Sequence, residues 1–170
     1  MTSHSPTCRR EGSSLIEVII AASILAISFS GIFMMNGQAA NVLRSGLEST
    51  AAIRVLNGRA EQLRSSTYTQ LTDTNYLTTT VFGMGSDSGG ELGQLTETLN
   101  VYAYPTAGTA LTVTRGSTGT VTLVSSGPAT LATSTSLRAD LTAGWVSKGG
   151  RARTRQITLV FASGGITGRH

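Results

Sequence analysis

This chain of 170 residues has almost none of the side chains that catalyse reactions through a thiol or an imidazole. Its one cysteine is Cys8, so an internal disulfide is excluded, as are thiolate and zinc-thiolate chemistry in everything after that residue. The two histidines are His4 and His170, which leave no usable base for a Ser-His-Asp nucleophile. No P-loop and no GxGxxG motif occurs. We therefore predict that the chain is not an enzyme and holds no metal ion or cofactor.

Charge is scarce as well, since charged residues make up 13% of the chain, against roughly 25% in typical soluble proteins. The formal net charge is +4, and residues 1–12 contribute +1 of it through Arg9, Arg10 and Glu11, which leaves +3 for the rest. So mild a balance does not imply nucleic acid or an anionic surface as a partner. Glycine, serine and threonine are abundant after Thr67, which favours an extracellular β-rich domain with many turns, although partial disorder is also compatible with this composition.

A run of 21 residues, positions 15–35, carries no charge except Glu17. As a helix it would reach about 30 Å, the thickness of the hydrocarbon core of a bilayer. A carboxylate at bilayer depth costs roughly 2.5–3.5 kcal/mol on insertion scales, so by default it marks function. Arg9 and Arg10 precede the run, whereas the first charge after it is Arg44. The positive-inside rule then predicts a single span with a cytoplasmic N-terminus and an extracytoplasmic C-terminal part.

The start of this run, GSSLIEV at residues 12–18, resembles the processing site of the type IV prepilin-like family, which comprises type IV pilins and the pseudopilins of type II secretion. The resemblance implies that prepilin peptidase cuts after Gly12, behind a basic leader, and that the new N-terminal Ser13 is methylated. It also implies that Glu17 attracts the N-terminal ammonium of a neighbouring subunit during assembly, because a charge pair is much stronger in apolar surroundings than in water. The implied partners are prepilin peptidase and other pilin or pseudopilin subunits. The implied location is the inner membrane, and then the pilus or pseudopilus.

Three features depart from the pattern of major pilins. Ser13 stands where the family favours an apolar residue, the apolar run has no proline, and the chain lacks the cysteines of a C-terminal disulfide loop. The segment AGWVSKGGRARTRQITLVF, residues 143–161, is similar to the close of PilV-like minor pilins and minor pseudopilins. The resemblance therefore implies a minor subunit.

Three other interpretations of the apolar run remain open. A cleaved secretory signal peptide would use the small residues Gly37 and Ala39, but its apolar region is only about 7–15 residues long and would give Glu17 no purpose. An ordinary single-span anchor also leaves Glu17 unexplained. A twin-arginine export signal would use Arg9 and Arg10, yet the apolar residues expected directly behind the pair are missing.

After the run, apolar residues recur at helical spacing as far as Leu63. They predict one long helix whose second half is amphipathic, with an apolar stripe that covers a sheet and an end at Ser65, Ser66 or Thr67. Two shorter helices with a break near Gly46 are the alternative. The charged residues interleaved with the stripe are Arg44, Glu48, Arg54, Arg59, Glu61 and Arg64. The expected segments are a removed leader, a transmembrane and assembly helix, its amphipathic continuation and a β-rich extracytoplasmic domain, at 1–12, 13–36, 37–66 and 67–170.

Alternation of apolar and polar residues with period two predicts β-strands in the last segment. The clearest hairpin joins 137–145 to 156–161 around the turn 147–150, with Trp145 facing the core. Further strands are expected at 111–113 and 121–123, with a turn at 116–119 between them, and near 77–82 and 99–104. The predicted fold class is α+β, with a long N-terminal helix, transmembrane in its first half, packed on a small antiparallel sheet in the layout that the resemblance to pilins implies.

The segment 83–93 is rich in glycine and serine, which predicts a flexible loop. It contains Asp87 and Glu91, and some pseudopilins bind calcium in loops. Two carboxylates without a recognised spacing fall short of the about six to eight oxygen ligands that calcium takes. We therefore expect a solvated loop without a metal ion.

A basic cluster, formed by Lys148, Arg151, Arg153 and Arg155, surrounds the predicted turn of the last hairpin. It offers phosphate contacts to DNA, which some minor pilins bind, but no aromatic stacking residue accompanies it. The alternative is a solvated turn that discourages pairing of the sheet edge. The first functional hypothesis is thus a structural assembly subunit, the second a tip subunit that binds DNA or a surface ligand, and the third an unrelated exported β domain on an ordinary anchor.

Overall fold

The computed structural model describes residues 15–86, 90–105 and 108–164. Its fold class is α+β, as predicted: a long N-terminal helix is followed by short helical turns and by a five-stranded antiparallel sheet. The helices are α1 (Leu15–Ser65), α2 (Tyr68–Thr72) and α3 (Thr74–Tyr76), with a π-helical turn at Leu77–Val81 and a 3₁₀ turn at Ala129–Thr133. The strands are β1 (Gly93–Ala103), β2 (Leu111–Arg115), β3 (Val121–Ser126), β4 (Ser136–Val146) and β5 (Ala152–Ala162).

The chain divides between Arg44 and Ser45 into two compact units, called unit 1 (Met1–Arg44) and unit 2 (Ser45–His170) below. The described part of unit 1 is helical throughout, and each of its residues is exposed. Helix α1 is long and apolar enough to cross a membrane, judged by its length and composition. The hydroxyl groups of Ser23 and Ser28 donate to the carbonyls of Ile19 and Ile24, each at 2.8 Å. These bonds within the helix satisfy polar groups that lipid could not satisfy.

In unit 2 the helix presents an apolar stripe to the sheet. Leu56, Ala60 and Leu63 lie in one buried cluster with side chains of all the inner strands, such as Leu99 of β1 and Leu141 of β4. These positions recur at three- and four-residue steps, so they lie on one face of the helix. The predicted packing of the helix on the sheet is confirmed.

Helix α1 ends at Ser65, inside the segment predicted for its end, and it continues without a break through Gly46. The alternative of two shorter helices is therefore wrong. Thr67 then starts α2 with a capping box, in which its hydroxyl accepts from the Gln70 amide at 3.4 Å and its own amide donates to the Gln70 side chain at 2.8 Å. The box satisfies amides that a new helix leaves without partners and so fixes the change of direction.

The sheet has the strand order β3-β2-β1-β4-β5, and each neighbouring pair is antiparallel. Both predicted hairpins are present: β4 pairs with β5 from Ser136 opposite Ala162 to Val146 opposite Ala152, and β2 pairs with β3. Trp145 faces the core with 3% of its surface exposed. The turn between β4 and β5 needs a glycine at Gly150, because φ there is 76°.

The strand predicted near 77–82 is wrong, since this segment continues α3 as a π-helical turn. The hydroxyls of Thr78 and Thr79 donate to the carbonyls of Thr74 and Asn75 at 2.8 and 2.7 Å, so β-branched residues that favour strands here bond back along a helix. Gly83 packs against the backbone of Thr79, and a Cβ added at Gly83 would lie 2.0 Å from the carbonyl oxygen of Thr79. Only glycine therefore fits at this position. The strand predicted near 99–104 lies largely within β1, which begins earlier, at Gly93.

Candidate functional site

The predicted processing site lies mostly outside the described residues. This holds for Gly12 and Ser13, for the leader charges Arg9 and Arg10, and also for the loop carboxylate Asp87.

Glu17 is described, and it lies exposed in the first turn of α1. A carboxylate at this position is favourable to the helix itself, because the N-terminal amides carry partial positive charge. Glu17 thus stands at the start of the apolar helix, where the sequence places it.

Between residues 15 and 35 the surface of α1 is apolar on every side, apart from Glu17 and three serines. Its large apolar side chains from Leu15 to Leu43 are 54–79% exposed. Burying each such side chain is worth about 1.5–3 kcal/mol, so this surface is strongly favoured in lipid or against other apolar helices. A helix that is apolar on all sides is typical of a membrane span or of the centre of a helical assembly.

In unit 2 the four predicted basic residues come together at one end of the β4–β5 hairpin, and this group is called the basic hairpin tip below. Lys148 and Arg151 lie in the turn, whereas Arg153 and Arg155 lie at the start of β5. Arg153 is half-buried and the other three are exposed. None of the four forms an ion pair with another described residue.

A buried carboxylate, which the sequence analysis placed among the interleaved charges of the helix, holds this tip against α1. Glu48 is 6% exposed and accepts hydrogen bonds from the Trp145 indole at 3.4 Å and from the Lys148 amide at 3.2 Å. Beside it, the guanidinium of Arg155 donates to the hydroxyl of Ser49 at 3.2 Å. The burial of Glu48 could have been predicted from its spacing, because Glu48 lies on the same helix face as Ala51, Ala52 and Val55.

A second buried charge in the helix stripe was also missed. Arg59 donates from Nε to Oε1 of Glu97 at 2.9 Å and from Nη2 to Oε2 at 3.2 Å, and their side chains are only 3% and 2% exposed. Arg59 also donates to the carbonyls of Val81 and Met84, and it lies 5.3 Å from the ring centre of Phe82. One arginine thereby joins the helix, strand β1, the π-helical turn and the segment after it.

A second cation, Arg115, completes this cluster. Arg115 of β2 lies 3.5 Å from the Glu97 carboxylate and donates to the Ser86 hydroxyl at 2.6 Å. Two arginines and one carboxylate leave the buried cluster with a positive charge. Such a network fixes how the helix packs on the sheet more than it adds net stability. The free-energy cost of removing the charged groups from water offsets most of the free energy gained from their attraction.

The described residues contain no candidate metal site. Within 15–86, 90–105 and 108–164, no group of three or more His, Cys, Asp or Glu side chains is placed to hold a metal ion, and Glu91 is exposed. Burial raises the pKa of Tyr68, and the hydrogen bond and charge of Asp140 raise the pKa of Arg138. Both shifts belong to structural contacts.

Together these features define an α+β protein whose N-terminal helix is compatible with a single-pass membrane anchor. Comparison with known protein families, with curated proteins and with solved structures finds no match to this chain.

Proposed function

We propose that this chain is a minor pilin or pseudopilin subunit, processed by prepilin peptidase and assembled through α1 into a type IV pilus or a type II secretion pseudopilus. The observation that carries the proposal is the position of the GSSLIEV motif, residues 12–18. Its described part, Leu15–Val18, opens a helix of 51 residues whose first stretch is apolar on every side. The α+β layout of a long helix and an antiparallel sheet supports the same conclusion.

In this proposal the subunit first stands as a single-pass protein in the inner membrane, with its N-terminus in the cytoplasm. Prepilin peptidase cuts after Gly12, where the absence of a side chain lets the backbone enter a narrow active site. The cut creates the ammonium of Ser13, which is then methylated. Cleavage and extraction thus both depend on the short segment of residues 12–17.

Extraction from the bilayer requires partners for an apolar surface and for one carboxylate. The side chains of 15–43 exchange lipid for the helices of neighbouring subunits, an exchange that depends on close packing, since lipid is as apolar as they are. Glu17 attracts the N-terminal ammonium of the neighbour, and the low dielectric of the surroundings strengthens that attraction. The pair sets the register of the incoming subunit.

Two substitutions test the cleavage site. Gly12→Val blocks the prepilin peptidase site, whereas Ala39→Leu blocks the alternative site of a secretory signal peptide, which needs a small residue before the cut. We expect Gly12→Val to remain uncut and Ala39→Leu to be processed normally, as measured by intact mass after expression with prepilin peptidase. The reverse pattern would refute the proposal and leave an exported β domain.

A substitution at Glu17 tests assembly separately from cleavage. Glu17→Gln keeps the size of the side chain and removes its charge, so we expect cleavage to continue while incorporation into sheared pili or pseudopili falls at least tenfold. Glu61→Gln is the matched control, because it makes the same change at an exposed position of unit 2, and it should be incorporated at the normal level. Equal incorporation of all three proteins would contradict the role of Glu17.

A further inference from the structure

A small cavity of about 120 Å³ lies in unit 2, between helix α1 and the segment that follows the π-helical turn, and it is called the arginine pocket below. The helix contributes Arg54, Gly58, Arg59 and Gln62 to its lining, and the segment contributes Gly85 and Ser86. A polar cavity of this size has room for several water molecules, and therefore also for a small ion that consists of a few atoms.

A glycine keeps this cavity open. Arg54, Gly58 and Gln62 follow one another at four-residue steps, so they lie on one face of the helix. A Cβ added at Gly58 would meet no atom within 4 Å, so the space between the two flanking side chains is empty. Glycine inside a helix costs about 1 kcal/mol relative to alanine. The cavity therefore exists at some cost in helix stability.

Positive charge is in excess in and beside the arginine pocket. The guanidinium of Arg59, which is 3% exposed, shares the single carboxylate of Glu97 with Arg115. Arg54 takes part in none of the ion pairs between described residues. Three arginines against one carboxylate thus leave two positive charges without a counterion in the described part of the chain. A charge that is partly removed from water is costly without a partner, so an anion is favoured here.

Arg59 contributes to this attraction by its charge and not by new hydrogen bonds. It already uses its N–H groups on Glu97, Gln62, Val81 and Met84. The donors for an anion must therefore come from other residues that line the pocket.

Such donors are present on both sides of the cavity. Arg54 on the helix has a planar fork of N–H groups that matches two oxygens of one anion. On the opposite side, the Ser86 oxygen accepts from Arg115 at 2.6 Å, so its own proton is available to a further acceptor. The amides of Gly85 and Ser86 donate to no carbonyl of the described residues. Acceptors are scarce nearby as well, since the buried Nε of Arg115 has no partner in the described part of the chain.

We propose that the arginine pocket binds a small free oxyanion of the phosphate type. Arg54 and Ser86 hold its oxygens from the two sides, and Arg59 supplies positive charge from the interior. The bound anion connects the helix to the segment after the π-helical turn, so it stabilises the folded state of unit 2 by mass action. The proposal does not depend on pilin assembly, because each residue that it uses lies in unit 2.

Equilibrium dialysis with radiolabelled inorganic phosphate tests the site, with the full chain in a non-ionic detergent and the ionic strength held constant with sodium chloride. We expect saturable binding of a single phosphate per chain, and Arg54→Gln should weaken it about tenfold or more, because it removes a charged donor. Arg64→Gln is the matched control, since Arg64 is an exposed arginine of the same helix that pairs with Glu61 and does not line the pocket. It should bind phosphate as the unmodified chain does.

A second pair of variants changes the space and leaves the charges in place. Gly58→Leu fills the cavity and should abolish phosphate binding, whereas Gly46→Leu makes the same change outside the pocket and should retain it. A Cβ has open space at both positions, and both substitutions replace glycine with a better helix former. Neither variant should therefore unfold unit 2, and unchanged Trp145 fluorescence verifies this.

The effect on stability gives an independent measurement. Phosphate should raise the urea midpoint of the unmodified chain and of Arg64→Gln, but not that of Arg54→Gln or Gly58→Leu. Uptake that does not saturate, or that is equal in all variants, would overturn the site. Binding that begins only after Asp87→Asn would also overturn it, because a carboxylate of the chain itself would then be the occupant.

Discussion

Helix α1 has opposite surroundings in the two units: its side chains are exposed in unit 1 and partly buried in unit 2. In unit 1 each described side chain of α1 is exposed, including its large apolar ones, whereas in unit 2 the helix buries a stripe that even includes Glu48 and Arg59. The first stretch depends on surroundings of lipid or other helices, because nothing within it covers its apolar surface. The second is stabilised by its own core. Substitutions should therefore affect assembly in unit 1 and folding in unit 2.

The largest effect on folding is expected at the buried ion pair. Glu97→Ala leaves the guanidinium of Arg59 buried without its carboxylate, which should lower the free energy of unfolding of unit 2 by about 3–5 kcal/mol. Urea unfolding of the full chain in mild detergent, followed by the fluorescence of Trp145, measures this change.

The exposed pair of Glu61 and Arg64 serves as its control. Glu61→Ala should cost less than about 1 kcal/mol, since exposed pairs contribute little. The double variant Arg59→Met/Glu97→Leu should regain much of the loss, because it removes the two most deeply buried charges together and leaves only the more exposed Arg115. Equal losses for Glu97→Ala and Glu61→Ala would show that burial of the pair has no energetic weight.

Substitution of one leucine in each unit allows a direct comparison of the two regions. Leu141→Ala opens a cavity at a fully buried site and should lower the free energy of unfolding by about 2–5 kcal/mol. Leu25→Ala acts on a side chain that is 56% exposed, so the unfolding of unit 2 should change by less than about 0.5 kcal/mol. The same urea titration measures both, and a comparable loss at Leu25 would break the distinction between the units.

A smaller, local effect is expected at Glu48. Glu48→Ala removes the acceptor for the Trp145 indole and for the Lys148 amide, at a cost of about 1–3 kcal/mol. The emission of Trp145 should shift and the Lys148 amide should exchange hydrogen faster, while Ser49→Ala, one residue further, should change neither by much. Unaltered exchange at Lys148 would contradict the attachment of the tip to the helix.

The smallest effect concerns pH. Burial raises the pKa of Tyr68 above its ordinary value of 10.0, and its hydroxyl donates to the carbonyl of Ser134. The folded state therefore favours the neutral phenol, so its contribution is complete below pH 10.0 and is lost as the pH rises through the pKa of the folded state. Tyr68→Phe should flatten the alkaline end of the stability profile, measured by urea unfolding across that range. An unchanged profile would show that Tyr68 does not titrate with folding.

Periodicity in the sequence was enough to predict the main elements. The alternation in β4 and β5 and the stripe up to Leu63 predict the hairpin and the helix end, because these patterns depend on which face each residue shares. The segment 77–82 was mistaken for a strand, since its threonines favour strands until their hydroxyls bond to the preceding helical turn. The strand propensity of threonine alone does not account for such hydrogen bonds within a helical turn.

The buried charges were beyond such patterns. Arg59 and Glu97 are 38 positions apart, and neither residue type is expected inside unless its partner is known. The basic hairpin tip shows the converse: its four residues were found from sequence, whereas its attachment to Glu48 and Ser49 depends on how helix and hairpin pack. A sequence motif identifies which functional groups are present, whereas their contacts depend on how the elements pack.

The central claim is that residues 12–17 form a prepilin processing and assembly signal. Intact mass and N-terminal sequencing of the protein from its native host, with and without prepilin peptidase, test it most directly. We predict a chain that begins at Ser13, carries the mass of one extra methyl group and disappears when the peptidase is removed. A chain that begins near Ala40, or an uncut chain in cells that contain the peptidase, would contradict the claim.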